Sequence, residues 1–140
     1  MRERTLVLIK PDAVRRRLIG EVIRRFEALG FDIIAMKMIR FDEALTRSHY
    51  GQYAAQPFYP ALSEFIQSGP SVALVVEGND AIGLVRKMMG ATRHTEAAPG
   101  TIRGDFAHDT TCNIVHGSDS PETAASEIAR FFTEAEIIGR

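Results

Sequence analysis

The chain has little cysteine, little net charge and no long apolar run. Its 140 residues include one cysteine, Cys112, which excludes an intrachain disulfide and fits a reducing compartment. The 17 basic and 18 acidic residues nearly cancel, which argues against a protein that coats nucleic acid through bulk charge. No apolar run reaches membrane-spanning length, and the first residues do not form a signal peptide. We therefore expect a soluble, cytoplasmic protein that requires neither a membrane nor a nucleic acid.

Two common phosphate-binding motifs are also missing. The sequence contains no Gly-x-x-x-x-Gly-Lys-[Ser/Thr] loop and no Gly-x-Gly-x-x-Gly fingerprint. A phosphate ligand would therefore have to be held by separate side chains, of which the candidates are Lys10, Arg86, Thr92 and Arg103. For each of these alone, a solvated surface position is the simpler interpretation. Lys10 is the exception, because it directly follows an apolar strand and sheet ends commonly face a ligand crevice.

The sequence does have enough apolar residues to build one folded domain over residues 1–140. Hydrophobic residues make up 45% of it. Apolar runs predict four strands, at Thr5–Ile9, Phe31–Phe41, Val72–Val76 and Asn113–His116. Helical spacing predicts helices at Gly20–Leu29, Asp42–Tyr53, Ala61–Gln67, Asp80–Met89 and Ser120–Phe132. This order indicates an α/β (α+β) fold, a ferredoxin-like split β-α-β with a four-stranded antiparallel sheet and flanking helices on one face.

Capping residues mark several of these helix ends. Asp42 and Ser120 are predicted N-caps, and Asn79 or Asp80 is expected to cap the fourth helix. Gly30 and Gly90 are placed to end the helices before them. The segment Ala91–Cys112 has no periodicity and is predicted to be a long loop, a feature that usually serves binding or assembly.

His116 stands where the last strand meets the last helix. Such a position can hold an imidazole outside the core on a rigid backbone, and histidine is readily neutral and nucleophilic near physiological pH. On the following helix, Ala124, Glu127 and Phe131 share one stripe by their three- and four-residue spacing. A carboxylate in an apolar stripe needs a partner, and the His116 imidazole is one candidate. A glutamate at the rim of an amphipathic helix is the alternative.

Two further groupings allow more than one interpretation. The aromatic residues near the Pro57 and Pro60 break could stack on a nucleobase or pack a helical hairpin; they are Tyr50, Tyr53, Phe58 and Tyr59. His108, Cys112 and His116 recur at intervals of four, as metal ligands on a helix do. The polar residues between them and the adjacent Gly117 argue against a helix there, and structural zinc usually has four ligands.

Four sequence motifs together resemble those of nucleoside diphosphate kinases. They are Thr5-Leu-Val-Leu-Ile-Lys-Pro-Asp12, Ser48-His-Tyr50 followed by Pro57-Phe58, Pro99-Gly-Thr-Ile-Arg-Gly-Asp-Phe106, and Asn113-Ile-Val-His-Gly-Ser-Asp-Ser120. The resemblance covers essentially the whole chain. It implies transfer of the γ-phosphate of a nucleoside triphosphate to a nucleoside diphosphate by a ping-pong route through a phosphohistidine, with broad base tolerance. It also implies a homo-oligomer, either a tetramer or a hexamer.

The resemblance also implies a role for each matching residue. His116 would be the nucleophile, phosphorylated on Nδ1, with Glu127 holding the other ring nitrogen and Ser118 supporting that carboxylate. Lys10 and Tyr50 would lie close to the transferring phosphate. The residues implied in nucleotide binding are Lys10, Phe58, Arg86, Thr92, Arg103 and Asn113, with Phe58 on the base and Asn113 on the ribose. The cofactor would be Mg²⁺, held mainly by nucleotide phosphates without dedicated metal ligands on the protein.

Some residues depart from the family pattern. Arg93-His94 follows Thr92 where Asn-Pro or Asp-Pro is frequent, Gln56 replaces a common arginine, and Cys112 replaces an arginine or polar residue. A non-catalytic nucleotide-binding or scaffold protein on the same fold is one rival interpretation. Nucleic-acid binding is another, and it predicts a steep salt dependence that the near-zero net charge disfavours.

Overall fold

Four antiparallel strands form the centre of the molecule. The computed structural model describes residues 1–139, and its strands are β1 (Arg2–Ile9), β2 (Asp32–Arg40), β3 (Pro70–Asn79) and β4 (Val115–Gly117). Their order across the sheet is β2-β3-β1-β4, and every neighbouring pair is antiparallel. This confirms the predicted four-stranded antiparallel sheet.

Seven α-helices connect and cover the strands of the described chain. They are α1 (Pro11–Arg15), α2 (Ile19–Leu29), α3 (Glu43–Tyr50), α4 (Tyr59–Ile66), α5 (Ala81–Met89), α6 (Ile102–Phe106) and α7 (Pro121–Phe131). Short 3-10 turns follow α3, α5 and α7 at Gly51–Tyr53, His94–Glu96 and Glu134–Glu136. None of the described helices has both the length and the apolar character needed to cross a bilayer.

The helices pack on both faces of the sheet, so the prediction of helices on one face is wrong. On one face, Val7 and Leu74 of the sheet pack with apolar residues of α1, α2, α5 and α6. On the other face, Leu8 and Val75 pack with residues of α3, α4 and α7. Successive strand residues point to opposite faces, and β1 and β3 carry apolar side chains at both sets of positions. Each face therefore needs its own cover.

Most of the predicted helix ends are confirmed by their hydrogen bonds. The Asp42 carboxylate accepts from the Leu45 amide at 2.8 Å, and the Ser120 hydroxyl accepts from the Thr123 amide at 3.1 Å. Gly30 ends α2 in the left-handed conformation, with φ of 106°. Asp80 is different, because it precedes α5 with φ of 53° and makes no side-chain cap; its carboxylate instead lies 3.4 Å from the amino terminus of Met1.

Two short helices lie in segments where no helix was predicted. α1 begins at Pro11, directly after β1, and α6 interrupts the predicted loop Ala91–Cys112. A helix of five residues is too short to show periodicity, and α6 depends on Thr101, whose hydroxyl accepts from the Gly104 amide at 3.0 Å. The last strand also begins two residues later than predicted, because Ile114 takes a left-handed φ of 77°.

Candidate active site

A cleft of about 360 Å³ opens at the end of the sheet where β1 stops and β4 lies beside it. Its walls come from β4, from the residue after β1, and from α3, α5 and α7. Most of the predicted site residues line this cleft: Lys10, Tyr50, Arg86, Thr92, Arg103, Asn113, His116 and Glu127. Segments far apart in the sequence thus contribute to one cavity.

The His116 imidazole is fixed by a carboxylate from the next helix. His116 pairs with Leu8 across β4 and β1, and its Nε2 lies 2.9 Å from Oε1 of Glu127. The Ser118 hydroxyl donates to the same oxygen at 2.8 Å. Burial opposes the charge of Glu127, but the hydrogen bonds from His116 and Ser118 outweigh it and lower the pKa of this carboxyl. The carboxylate can only accept, so Nε2 carries the proton and donates it.

The other ring nitrogen of His116 is available for chemistry. Within residues 1–139, Nδ1 makes no hydrogen bond, and a quarter of the side chain is exposed, 25%. Ser118 is itself anchored to β1, because its amide donates to the Leu6 carbonyl at 3.1 Å and its hydroxyl accepts from the Leu6 amide at 3.3 Å. The imidazole is therefore held on one side by groups that are anchored to the sheet.

Lys10 lies in the cleft wall at the exit of β1, as predicted. Its Nζ donates to Oδ1 of Asn113 at 2.7 Å, and the side-chain Nδ2 of Asn113 donates to the Thr92 carbonyl at 3.1 Å. Burial, together with the nearby charge of Arg103, lowers the pKa of Lys10 to about 8. The amino group is thus a buried cation that loses its charge just above neutral pH.

The two predicted arginines differ in their surroundings. Arg103 is buried and donates to the carbonyls of Asn113, Gly90 and Val115 at 3.3, 3.0 and 2.7 Å. Arg86 is exposed and donates to the Gly117 carbonyl at 3.1 Å. Burial and then the charge of Arg86 lower the pKa of Arg103 to about 10. Arg103 thus connects α6 to the end of α5 and to the segment that enters β4. Most of the Arg86 guanidinium N–H groups remain available to a ligand.

Asp12 supports the backbone next to the histidine, a role that the sequence did not suggest. Its carboxylate accepts from the Ile114 amide at 3.1 Å, and the Ile114 carbonyl accepts from the Lys10 amide at 2.8 Å. A β-branched residue with positive φ is strained, so these two bonds hold Ile114 in a conformation that it would otherwise leave. The available signal was the place of Asp12 at the end of the motif that begins at Thr5.

The predicted aromatic residues separate into two groups. Tyr50 lines the cleft but is largely buried, its hydroxyl has no partner among the described residues, and burial raises its pKa. Phe58 lies outside the cleft lining, is 49% exposed, and packs 5.6 Å from the ring of Tyr53. Tyr50 therefore belongs to the core beside the site, whereas Phe58 presents a ring to solvent.

Two further residues in the cleft were missed by sequence reasoning. The His49 ring lies 4.9 Å from the His116 ring at an angle of 84°, and Nη1 of Arg130 lies 2.9 Å from Nδ1 of His49. Their positions in the sequence could have identified both residues. His49 immediately precedes Tyr50 in the Ser48-His-Tyr50 motif, and Arg130 is three residues after Glu127 on the same helix face.

The metal-ligand spacing seen in the sequence does not correspond to a cluster. Within the part of the chain described, the group whose ligand atoms all come within 4.8 Å of one another is His49, His116 and Glu127. His108 is exposed, and Cys112 lies in the loop before β4.

The family model and the similar proteins of known function all point to one protein family. The model of the family described as "Nucleoside diphosphate kinase" matches residues 3–137. The nucleoside diphosphate kinase of Methanosarcina mazei is 56% identical over 135 residues, covering 96% of this chain and 91% of its own. That of Methanocaldococcus jannaschii is 52% identical over 140 residues and covers both chains fully, at 100%.

Solved structures with the same fold come from the same family. A halophilic nucleoside diphosphate kinase from Halobacterium salinarum, in complex with CDP, has a TM-score of 0.97 and 44% identity, covering 100% of this chain and 93% of its own. The Aquifex aeolicus nucleoside diphosphate kinase has a TM-score of 0.95 and 43% identity, covering 99% and 100%. The similarity thus extends over the whole described fold.

Proposed function

The chain belongs to the nucleoside diphosphate kinase family, and on that premise we propose that it transfers the γ-phosphate of a nucleoside triphosphate to a nucleoside diphosphate through phosphorylated His116. One observation carries the proposal. His116 donates from Nε2 to Glu127, makes no hydrogen bond at Nδ1 within residues 1–139, and lines a cleft that also contains Lys10 and Arg86. A nitrogen nucleophile in a cleft that also contains cations suits attack on a phosphate.

The reaction has two half-reactions with His116 as the carrier. Nδ1 attacks the γ-phosphorus, the bond from phosphorus to the bridging β-oxygen breaks, and the nucleoside diphosphate leaves with the electron pair. In the second half, a terminal phosphate oxygen of another nucleoside diphosphate attacks the phosphohistidine and the P–N bond breaks. Throughout, the Glu127 carboxylate accepts the hydrogen bond from Nε2–H and balances the positive charge that develops on the ring.

The cations of the cleft suit the developing negative charge. Phosphoryl transfer depends on in-line placement and on positive charge around the transferring group more than on covalent work by the protein. Lys10 would bind the transferring phosphate and the ribose hydroxyl, and Arg86 would bind phosphate oxygens. Arg103 would also contact phosphates, with the two N–H groups that its three carbonyl contacts leave over. Thr92 would add a hydroxyl.

Nucleoside recognition would avoid contacts that distinguish the bases. Asn113 is within the cleft and would bind the ribose, which all nucleotides share. Phe58, with about half of its surface exposed at 49%, would stack on the base through its π-face. Tyr50 would contribute a hydroxyl close to the phosphoryl group. Broad base tolerance follows, because neither the ribose nor a stacked π-face identifies a base.

The metal in this proposal is Mg²⁺, bound mainly by the nucleotide phosphates. Mg²⁺ prefers oxygen ligands and usually combines phosphates and waters with one or two carboxylates. The cleft is compatible with this arrangement, because Asp119 lines it as an exposed carboxylate while Glu127 is already hydrogen-bonded. Bound Mg²⁺ would neutralise charge on the phosphates.

The proposal also covers the assembly. We expect residues 1–140 to act as a single domain and the chain to form a homo-oligomer, either a tetramer or a hexamer. Its partners would be nucleoside di- and triphosphates.

The decisive experiment is phosphate labelling of His116. The protein is incubated with γ-labelled ATP and Mg²⁺, denatured, and tested for label that is labile in acid and stable in base. We expect label on wild type and on His108→Ala, an exposed histidine that serves as the control, but none on His116→Ala. An unlabelled wild type that still binds ADP would favour the scaffold interpretation. Full labelling of His116→Ala would refute the assigned nucleophile.

A further inference from the structure

His49 is a buried histidine that makes and breaks no bond in the proposed reaction. It lies on α3 with 6% of its surface exposed. Its ring contacts His116 at 4.9 Å and 84°, Tyr50 at 4.5 Å and 81°, and Phe131 at 5.2 Å and 71°. His49 thus stands edge-on between the nucleophile and the aromatic core.

Arg130 fixes the position of the proton on this buried ring. Its Nη1 lies 2.9 Å from Nδ1 of His49. Guanidinium nitrogens can only donate, so Nδ1 must accept and carries no proton. Burial, then the adjacent His116, lowers the pKa of His49 to about 3, which keeps the ring neutral. A neutral imidazole with an unprotonated Nδ1 carries its proton on Nε2.

This tautomer argues against metal binding by His49, His116 and Glu127, although their ligand atoms lie within 4.8 Å of one another. A histidine ligates a metal through an unprotonated nitrogen. In His49, Nδ1 is occupied by the Arg130 donor, and Nε2 carries the proton. Metal binding would therefore require loss of the contact between Arg130 and His49.

We propose that Arg130 is a positioning residue that acts through His49 on the nucleophile. Arg130 holds His49 as the Nε2–H tautomer in one orientation, and the His49 ring then packs edge-to-face against His116. Glu127 fixes one nitrogen of His116, and His49 fixes the plane of the ring. The inference rests on the proposed function, because ring orientation matters most when Nδ1 must align with a phosphorus atom.

One face of α7 supplies both residues that hold the two histidines. Glu127 and Arg130 are three residues apart on one helix and reach adjacent histidines from the same face. One holds His116 directly and the other holds it through His49. Arg130 also lines the cleft, so it could instead contact nucleotide phosphates directly. The experiments must distinguish this direct role from a role through His49.

The first test reads the tautomer directly, in the nucleotide-free protein. Nitrogen-15 NMR of histidine-labelled protein distinguishes an unprotonated ring nitrogen from an N–H nitrogen. In wild type and in Arg24→Met, we expect the His49 Nδ1 signal at the unprotonated position and Nε2 at the N–H position. In Arg130→Met, we expect both signals to move toward the exchange average. Unchanged His49 signals in Arg130→Met would overturn the proposal.

The second test asks whether Arg130 acts through His49. We expect Arg130→Met to slow labelling of His116 about tenfold, the effect of one lost orienting hydrogen bond, while Arg24→Met does not. In the His49→Phe background, which keeps an aromatic ring but no ring nitrogen, Arg130→Met should cause no further loss. A full additional loss in that background, with a raised KM for nucleotide, would show that Arg130 contacts phosphates directly and would overturn the proposal.

The two tests separate this inference from the proposed function. The tautomer is measured without nucleotide, so unchanged His49 signals in Arg130→Met count against the inference alone. Absence of label on wild-type His116 counts against the proposed function. The exposed Arg24, paired with Glu21 on α2, is not among the residues that line the cleft, and it serves as the matched control for loss of an arginine.

Discussion

At the scale of single side chains, one carboxylate oxygen organises the site. Oε1 of Glu127 accepts from His116 at 2.9 Å and from Ser118 at 2.8 Å. Glutamine at this position keeps the shape of the side chain but loses the negative charge that balances the imidazole ring in the proposed reaction. We expect Glu127→Gln to lower kcat about tenfold to hundredfold, the range for a hydrogen bond to a charged group. Steady-state kinetics with ATP and a nucleoside diphosphate measure this loss.

The matched control for this change lies on the same helix. Glu122 is exposed in the first turn of α7 and does not line the cleft, so Glu122→Gln should leave kcat close to that of wild type. An equal loss in both variants would mean that the effect comes from helix stability and not from contact with His116.

Lys10 gives the site a pH dependence. Because burial and Arg103 lower its pKa to about 8, Lys10 is charged below that pH and neutral above it. The neutral amine attracts phosphate poorly, so kcat/KM for nucleotide should fall as pH rises through about 8. The pH profile of kcat/KM tests this, and Lys10→Met, although weakly active, should lack that decline. A profile that stays level well above this pKa would contradict the assignment.

The residues that sequence reasoning identified are those with a strong local context. His116 precedes a glycine and a helix start, Glu127 lies in an apolar stripe, and Lys10 follows an apolar strand, so the local sequence made each a candidate. Their roles came from the resemblance, because Glu127 alone could equally be a glutamate at the rim of an amphipathic helix. Their connections were not predictable, because the Lys10 amino group meets Asn113 from 103 positions away. His49 was missed for the same reason: its contact with Arg130 spans 81 positions and depends on the packing of α3 against α7.

At the scale of elements, the α7 N-cap connects helix stability to the site. The Ser120 hydroxyl accepts from the Thr123 amide at 3.1 Å, at the start of the helix that carries Glu127. We expect Ser120→Ala to lower the free energy of unfolding by about 1 kcal/mol. Chemical denaturation measures this. Ser126→Ala, an exposed change in the same helix, should stay within about 0.5 kcal/mol of wild type. Equal losses in both variants would contradict a capping role.

The elements that sequence reasoning predicted are the long ones with clear periodicity or caps. β1, α2 and α7 show the apolar pattern of their class, and Asp42, Gly30 and Ser120 mark ends that the structure confirms. α1 and α6 were missed because five residues do not complete two helical turns. The start of β4 was misplaced because a left-handed Ile114, held by Asp12, cannot be inferred from a β-branched residue in an apolar run.

At the scale of the whole molecule, the sheet separates two cores. β1 and β3 carry apolar side chains on both faces of the sheet, so both faces require cover, and the helices supply it. The sequence showed these strands as continuous apolar runs, which is the pattern of a strand buried on both sides. The prediction of helices on one face came from the order of elements, which does not specify the face that each helix covers.

The outer strand of the sheet predicts how copies of the chain associate. Within residues 1–139, β2 pairs with β3 as its one neighbouring strand, and only the Ile34 carbonyl accepts a further backbone hydrogen bond, from the Ile138 amide at 2.7 Å. Met36 and Met38 lie on one face of it and are 58% and 60% exposed. An outer strand with exposed apolar side chains tends to pair with another chain. We therefore expect the wild type to sediment as an oligomer that uses this strand.

Two lysines on the same face of β2 should disrupt that association. Lysines on an outer strand oppose pairing by charge repulsion and by the cost of burying a cation. Sedimentation velocity of Met36→Lys/Met38→Lys should therefore show smaller species than wild type, while Leu29→Lys, which replaces an exposed leucine on α2, should sediment as wild type does. If the double variant keeps the full assembly, the copies must associate through another surface, and the exposed methionines need a different explanation.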